Sequence, residues 1–123
     1  MLKDKSSSAI VAVSDIDRAK EFYRDTLGLE LVDDMGDVLT FRTGDTRLVV
    51  YRSEFAGGNR ANAVVWDVGE AIDAIVADLR GKGVVFERYG DVGEYRDGIH
   101  HAGAMKLVWL KDPDGNILHL NSM

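Results

Sequence analysis

Apolar residues recur at helical spacing in two segments of the chain, one in each half. The first runs from about residue 16 to residue 27, where Ser14 or Asp15 can cap it and Gly28 ends it. The second runs from about residue 71 to residue 79 and ends near Gly81. The apolar positions are Ile16, Ala19, Phe22, Tyr23 and Leu27 in the first segment and Ala71, Ile72, Ile75, Val76 and Leu79 in the second. This spacing predicts two amphipathic helices.

Short apolar or alternating segments between turn residues predict strands around both helices. In the first half they are SAIVAVS (8–14), LELVDD (29–34), DVLTFRT (37–43) and TRLVVYR (46–52). In the second half they are NAVVWD (62–67) and the ranges 84–88, 106–111 and 115–121. Each half therefore reads βαβββ, which predicts an internal repeat with module one at about 8–52 and module two at about 62–121.

The second half is longer than the first by an insertion. A glycine ends each helix and another lies in each last hairpin, and the interval from Gly83 to Gly115 is twice that from Gly28 to Gly44. We place the extra residues at 89–104, YGDVGEYRDGIHHAGA, which contains two of the three histidines. Long irregular insertions in compact domains are usually functional or mobile, so this segment is a candidate part of a site.

Composition and charge narrow the classes of function. The chain has 123 residues, 46% of them apolar and 29% charged, which predicts a single globular domain over 1–123. A formal net charge of −6 disfavours nucleic acid and anionic lipid as partners. There is no cysteine, so thiolate chemistry is excluded. No apolar run approaches the roughly 18 residues of a membrane span, and we expect a cytoplasmic location.

Two motifs carry a resemblance to a known family. The segments AVSDIDRAKEFYRDTLGLEL (12–31) and KDPDGNILHL (111–120), together with the βαβββ repeat, resemble the vicinal oxygen chelate superfamily. That superfamily includes glyoxalase I, bleomycin-resistance proteins and extradiol dioxygenases. The resemblance covers nearly the whole chain and implies an α+β fold, with two modules curling into an open mixed sheet around a ligand pocket and helices outside. It also implies a homodimer.

The resemblance further implies where a metal would bind in metal-dependent members, which use four side chains from the first and last strands of the modules. Those positions fall on Ser8, on Val49 or Tyr51, on Ala63 and on His119. A divalent ion needs several oxygen or nitrogen donors, and one imidazole is too few. We therefore expect no metal and no cofactor unless His100 and His101 join His119.

Eight side chains are candidates for contact with a ligand in the pocket. They are Phe41, Tyr51, Tyr95, His100, His101, Met105, Trp109 and His119. His119 is either a hydrogen-bonded structural residue or a donor, acceptor or base facing the pocket. Adjacent histidines on an extended segment point to opposite sides, so His100 and His101 either lie in a solvated loop or supply one group to the pocket. Strand parity places Trp66 on the helix side.

Two functions are consistent with these residues. The first is non-catalytic binding of a small, partly aromatic ligand, as in the bleomycin-resistance type. The second is a lyase, isomerase or dioxygenase of the same superfamily, either with a metal held by His119, His100 or His101 and Glu94, or metal-free with His119 as base. The DPDG segment at 112–115 is typical of turn geometry and carries no catalytic role.

Overall fold

The computed structural model describes all residues, Met1–Met123, and the chain divides into two compact units, Met1–Asn59 and Arg60–Met123. Each unit contains a mixed β-sheet with one main helix. The predicted α+β class, built from two modules that follow the βαβββ order, is confirmed. That the two units together form one domain stays a prediction.

The first unit follows the predicted order. Its elements are β1 (Ala9–Val13), α1 (Ile16–Lys20), β2 (Glu30–Asp34), β3 (Val38–Thr43) and β4 (Thr46–Arg52). The sheet order is β1-β4-β3-β2, with β1 parallel to β4 and the other neighbours antiparallel. The parallel pair joins the first and last strands of the module, and β1 lies at the edge of the sheet.

The predicted first helix is present, but it changes its winding midway. After α1 the chain continues as a π-helix over Glu21–Thr26, and the N–H of Leu27 donates to the carbonyl of Phe22 at 2.9 Å. Asp15 caps the start, because its side chain accepts a hydrogen bond from the N–H of Arg18 at 3.0 Å. The helix therefore begins and ends close to the predicted residues.

The Asp15 cap yields a first prediction. We expect Asp15→Ala to lower the free energy of unfolding by about 1 kcal/mol, because an N–H at the helix start loses its side-chain partner. Asp15→Asn is the matched control and should retain most of the stability, since asparagine caps equally well. Urea denaturation measures both. Equal losses in the two variants would contradict the capping role.

The core of the first unit lies on one face of its sheet. Leu39, Phe41, Leu48 and Val50 are fully buried on alternate positions of β3 and β4, and Tyr23 packs against Phe41 with ring centroids 5.9 Å apart. Because alternate strand residues point to opposite faces, this is the face that the helix covers. Phe41, a predicted ligand contact, instead belongs to this core.

The second unit contains one strand more than predicted. Its elements are β5 (Asn62–Asp67), α2 (Ile72–Gly81), β6 (Glu94–Arg96), β7 (Ile99–Ala102), β8 (Met105–Lys111) and β9 (Ile117–Asn121), and its sheet order is β5-β9-β8-β7-β6. The helix α2, predicted near 71–79, follows a 3-10 turn at Gly69–Ala71. No helix of the chain has the length and apolar character that a membrane crossing requires.

The prediction of a strand at 84–88 is wrong. The insertion, in contrast, contains more regular structure than expected. Only Phe86 forms a bridge, to Leu110, while β6 and β7 form a hairpin inside the predicted insertion at 89–104. β7 pairs with the first residues of β8, from Met105 to Leu107. Only the later residues of β8 therefore remain on that side for pairing with the segment 84–88. The inserted hairpin therefore supplies the neighbour of β8 that the sequence predicted at 84–88.

Candidate functional site

The candidate site lies on one face of the second sheet, which we call the open face. Val108, Leu110, Leu118 and Leu120 are buried on the opposite face. That opposite face is the helix side, because Lys106 shares it and its Nζ lies 2.7 Å from the Asp73 carboxylate of α2. The open face is therefore the side not covered by α2, and it presents the alternate residues of the same strands.

Four rings form a row across the open face, one from each strand from β6 to β9. Ring centroids are 5.0 Å apart from Tyr95 to His100, 5.0 Å from His100 to Trp109, and 4.5 Å from Trp109 to His119. Strand pairing explains the row, since Tyr95 lies opposite His100 and Trp109 lies opposite His119. We call these four residues the aromatic row.

His119 lies at one end of the row, and its hydrogen bonds fix the tautomer of its neutral ring. Its Nδ1 lies 3.0 Å from the carbonyl oxygen of Val108, which can only accept, so Nδ1 carries the proton. In the neutral ring Nε2 is then an acceptor, and the amide of Asn121 approaches it at 3.5 Å. The imidazole stacks on Trp109 with an interplanar angle of 21°. His119 therefore offers a half-buried acceptor beside a flat aromatic surface.

Trp109 is fixed by contacts around its indole ring. Its Nε1–H donates to Oδ1 of Asn62 at 3.1 Å. The ring of Tyr89 packs edge-on at a centroid distance of 5.2 Å and an angle of 83°. These contacts satisfy the indole N–H and orient the ring, while the side chain stays half-buried. A ring held in this way loses little conformational freedom when a ligand stacks on it.

His100 is the fully buried member of the row. Its Nε2 accepts a hydrogen bond from the backbone N–H of Tyr89 at 2.9 Å, and its ring contacts Tyr95 and Trp109 edge-on. Nδ1 is buried and has no hydrogen-bond partner. Because Nε2 accepts from an amide, the bond requires the neutral ring. His100 therefore joins the inserted hairpin to the segment around Tyr89.

Two further candidates from the insertion and β8 lie beside this row. His101 points to the side opposite His100, where it pairs with Glu94 on β6 and lies next to Lys106 on β8. The predicted alternation of the two histidines is thus observed. Met105 begins β8 opposite Ala102 and remains 37% exposed. His101 and Glu94 therefore do not face the same side as His119.

The two candidate ligand contacts of the first unit, Phe41 and Tyr51, lie on opposite faces of its sheet. Phe41 is fully buried beneath the helix, so it is not available to a ligand on the opposite face. Tyr51 lies on that opposite face, half-buried between Ala12 on β1 and Val38 on β3. Trp66 of the second unit lies opposite the buried Leu120, which is the helix side predicted for it.

The donors present do not fit the divalent ion that the family resemblance implies. His119 is the one imidazole among the four carried-over positions, and its neighbours on the open face are Trp109 and Val65. Neither unit contains a group of three or more histidine, aspartate or glutamate side chains that could hold a metal. Hard and borderline ions require several such donors, which these positions do not supply.

Three residues that contact the aromatic row are not predicted by the sequence. Tyr89 and Asn62 orient Trp109, and Arg88 lies with its guanidinium carbon 5.0 Å from the centroid of the Tyr95 ring. No local pattern marks them, because each acts through a partner on another strand. Cross-strand contacts of this kind depend on register, which a single sequence specifies weakly in an insertion.

Comparisons with known proteins agree with this fold. A glyoxalase family protein from Enterococcus faecalis has 22% identity and a TM-score of 0.73, with 98% of this chain and 99% of that chain covered. Lactoylglutathione lyase from Agrobacterium tumefaciens has 18% identity and a TM-score of 0.70, covering 95% and 92%. The fosfomycin resistance protein FosX from Mesorhizobium loti has 14% identity and a TM-score of 0.71, covering 100% and 94%. At these identities the likeness concerns the fold alone.

No curated protein sequence matches the chain significantly. A family model described as "Glyoxalase/Bleomycin resistance protein/Dioxygenase superfamily" matches residues 6–120, which is nearly the whole chain. This match confirms the resemblance inferred from the two motifs and the repeat. The chain belongs to the Glyoxalase/Bleomycin resistance protein/Dioxygenase superfamily.

Proposed function

We propose that the protein binds a small, planar, partly aromatic molecule without a metal, on the open face of the second sheet. The observation that carries the proposal is the stack of Trp109 on His119, 4.5 Å apart and nearly parallel. The stacked pair lies next to the Nε2 acceptor of His119, where a donor of the ligand would replace the amide of Asn121, which approaches at 3.5 Å. Stacking supplies affinity, and the acceptor selects a ligand with a hydroxyl or N–H at the ring edge.

The same residues favour sequestration over bond-making. The rings of the aromatic row stack on one another or donate hydrogen bonds to fixed partners. The buried His100 already accepts a hydrogen bond from the backbone N–H of Tyr89. The contacts expected are His119, Trp109 and Tyr95, with Met105 at the rim. A homodimeric state and a cytoplasmic location are further parts of the proposal.

Fluorescence titration tests the proposal with a panel of neutral, cationic and anionic naphthalene, quinoline and indole derivatives. Trp66 and Trp109 are the two tryptophans, so the Trp66→Phe variant isolates the emission of Trp109. We expect quenching by at least one compound of the panel. Trp109→Ala should then weaken binding about 30-fold, which corresponds to the ~2 kcal/mol lost when a central aromatic contact is truncated.

Trp109→Phe is the matched control, because it retains a ring on the same strand and should lose only a few-fold in affinity. His119→Ala should weaken binding of compounds with a hydroxyl or N–H more than binding of compounds without one. Binding measured by calorimetry that is unaffected by Trp109→Ala, in a variant that circular dichroism shows to be folded, would contradict the proposed site. Absence of binding across the whole panel would contradict the proposed function.

A second candidate function is catalysis with His119 as base. The hydrogen bond from Nδ1 to the carbonyl of Val108 favours it, because that bond fixes the tautomer in which Nε2 can take a proton. A compound that binds should then be incubated with the protein in deuterated water and examined by mass spectrometry. Deuterium incorporation or product formation that disappears in His119→Ala would favour a lyase or isomerase over a binding protein.

A further inference from the structure

We propose that the ligand of the open face carries an anionic oxygen group, such as a carboxylate, and that Arg88 binds this group at the edge of the sheet. The inference rests on the proposed function and adds a chemical class to it: planar aromatic acids. It assigns to Arg88 a role in specificity.

The guanidinium of Arg88 is positioned by an aromatic ring. Its central carbon lies over the ring of Tyr95, 5.0 Å from the centroid. A cation–π contact is made through the charge of the guanidinium and uses none of its N–H groups as hydrogen-bond donors to a carboxylate. Those N–H groups match the two oxygens of a carboxylate in a bidentate arrangement. The stack therefore presents a preoriented anion-binding edge.

Arg88 is also free of a carboxylate partner. Arg24, Arg42 and Arg52 each form an ion pair with an acidic side chain. Arg88 is exposed and has a contact only with the ring of Tyr95. The adjacent acidic residue, Glu87, lies 3.3 Å from Nζ of Lys111 instead. An exposed arginine that is held by a ring and lacks an internal counter-ion is suited to an external anion.

The position of Arg88 sets the arrangement of the ligand. Tyr95 belongs to β6, the edge strand, while His119 belongs to β9 on the far side of the row. A planar molecule that stacks on Trp109 and extends past the covered ring of His100 toward Tyr95 would thus have the cation at one end and the acceptor Nε2 at the other. An aromatic acid with a hydroxyl or N–H group opposite its carboxylate satisfies both ends.

The net charge of the whole protein opposes this assignment only weakly. The chain carries a formal net charge of −6, which repels anions at long range. Long-range repulsion between exposed charges is screened beyond about 8 Å at physiological ionic strength, whereas a direct charge-assisted hydrogen bond acts at contact. The local cation therefore decides the preference, and the preference should diminish as salt is added.

A pair of isosteric probes tests the proposal: a naphthoate and the matching naphthamide, titrated against the full chain. We expect the wild-type protein to bind the acid about tenfold more tightly than the amide, a modest factor because the arginine is exposed. Arg88→Gln should abolish this preference, because it lowers the affinity for the acid much more than the affinity for the amide. Arg96→Gln is the matched control, because Arg96 neighbours Tyr95 on β6 but points to the other side.

Each outcome decides the point. A preference for the acid that is lost in Arg88→Gln and kept in Arg96→Gln supports the assignment. An equal or weaker affinity for the acid in the wild type, or a preference that survives Arg88→Gln, overturns it while binding of the amide at Trp109 leaves the proposed function intact. Failure of both probes and of the whole aromatic panel overturns the proposed function and this inference together.

Discussion

Replacing His100 by alanine should lower the free energy of unfolding by about 3 kcal/mol, the largest loss expected from one side chain of the site. The imidazole is fully buried and contacts the rings of Tyr89, Tyr95 and Trp109. Its removal leaves a cavity among these rings. It also leaves the backbone N–H of Tyr89 without its acceptor. The two effects add because they concern different groups, the packed ring and the backbone N–H.

His101→Ala provides the matched control. It removes the same side chain one residue further along β7, where the imidazole is half-exposed and points to the other side of the sheet. We expect a change within about 0.5 kcal/mol, as for most exposed substitutions. Guanidinium denaturation followed by circular dichroism measures both variants. Equal stabilities for His100→Ala and His101→Ala would contradict the structural role of the buried ring.

Gly93→Ala should have a comparable effect, a loss of about 3 kcal/mol, through the backbone of the inserted hairpin. Gly93 has a φ of 56°, in the left-handed region that disfavours residues with a Cβ. A Cβ at this position would overlap the carbonyl oxygen of His101 and lie 2.8 Å from its carbonyl carbon. The obstacle is main chain, so neither side-chain rotation nor a small shift removes it.

Gly90→Ala separates this effect from glycine replacement in general. Gly90 lies in the same insertion, but a Cβ there meets nothing within 4 Å and its φ is not in the left-handed region. We expect its stability to stay within about 0.5 kcal/mol of the wild type, or to rise slightly because alanine reduces the freedom of the unfolded chain. Thermal unfolding compares the two variants. A harmless Gly93→Ala would show that the hairpin readjusts freely.

His100→Ala and Gly93→Ala should also weaken ligand binding, although neither residue contacts the ligand directly. The hairpin supplies two rings of the aromatic row, and its contact with Tyr89 supports the edge of Trp109. If the hairpin loosens, Tyr95 and Trp109 lose their fixed orientation. Binding must then order these rings, and this loss of conformational entropy lowers the affinity. The insertion is therefore a structural support of the proposed site as well as a part of it.

The sequence alone predicted the elements that have a strong local signal. The two helices, the strands of the first unit and the strands β5, β8 and β9 of the second were found close to their observed bounds. Strand parity assigned Trp66 to the helix side and separated His100 from His101. These predictions succeed because helical and strand periodicities are properties of consecutive residues. The family followed from the same local motifs and their repeat.

The tertiary structure decided what depends on pairing between distant segments. The hairpin β6–β7 takes part of the edge of β8, which reduced the predicted strand at 84–88 to a single bridge. Phe41 proved to be core because the helix covers its face. The aromatic row and the stack of Arg88 on Tyr95 join residues from separate strands. Their contacts arise from register across the sheet, and no spacing along the chain encodes that register directly.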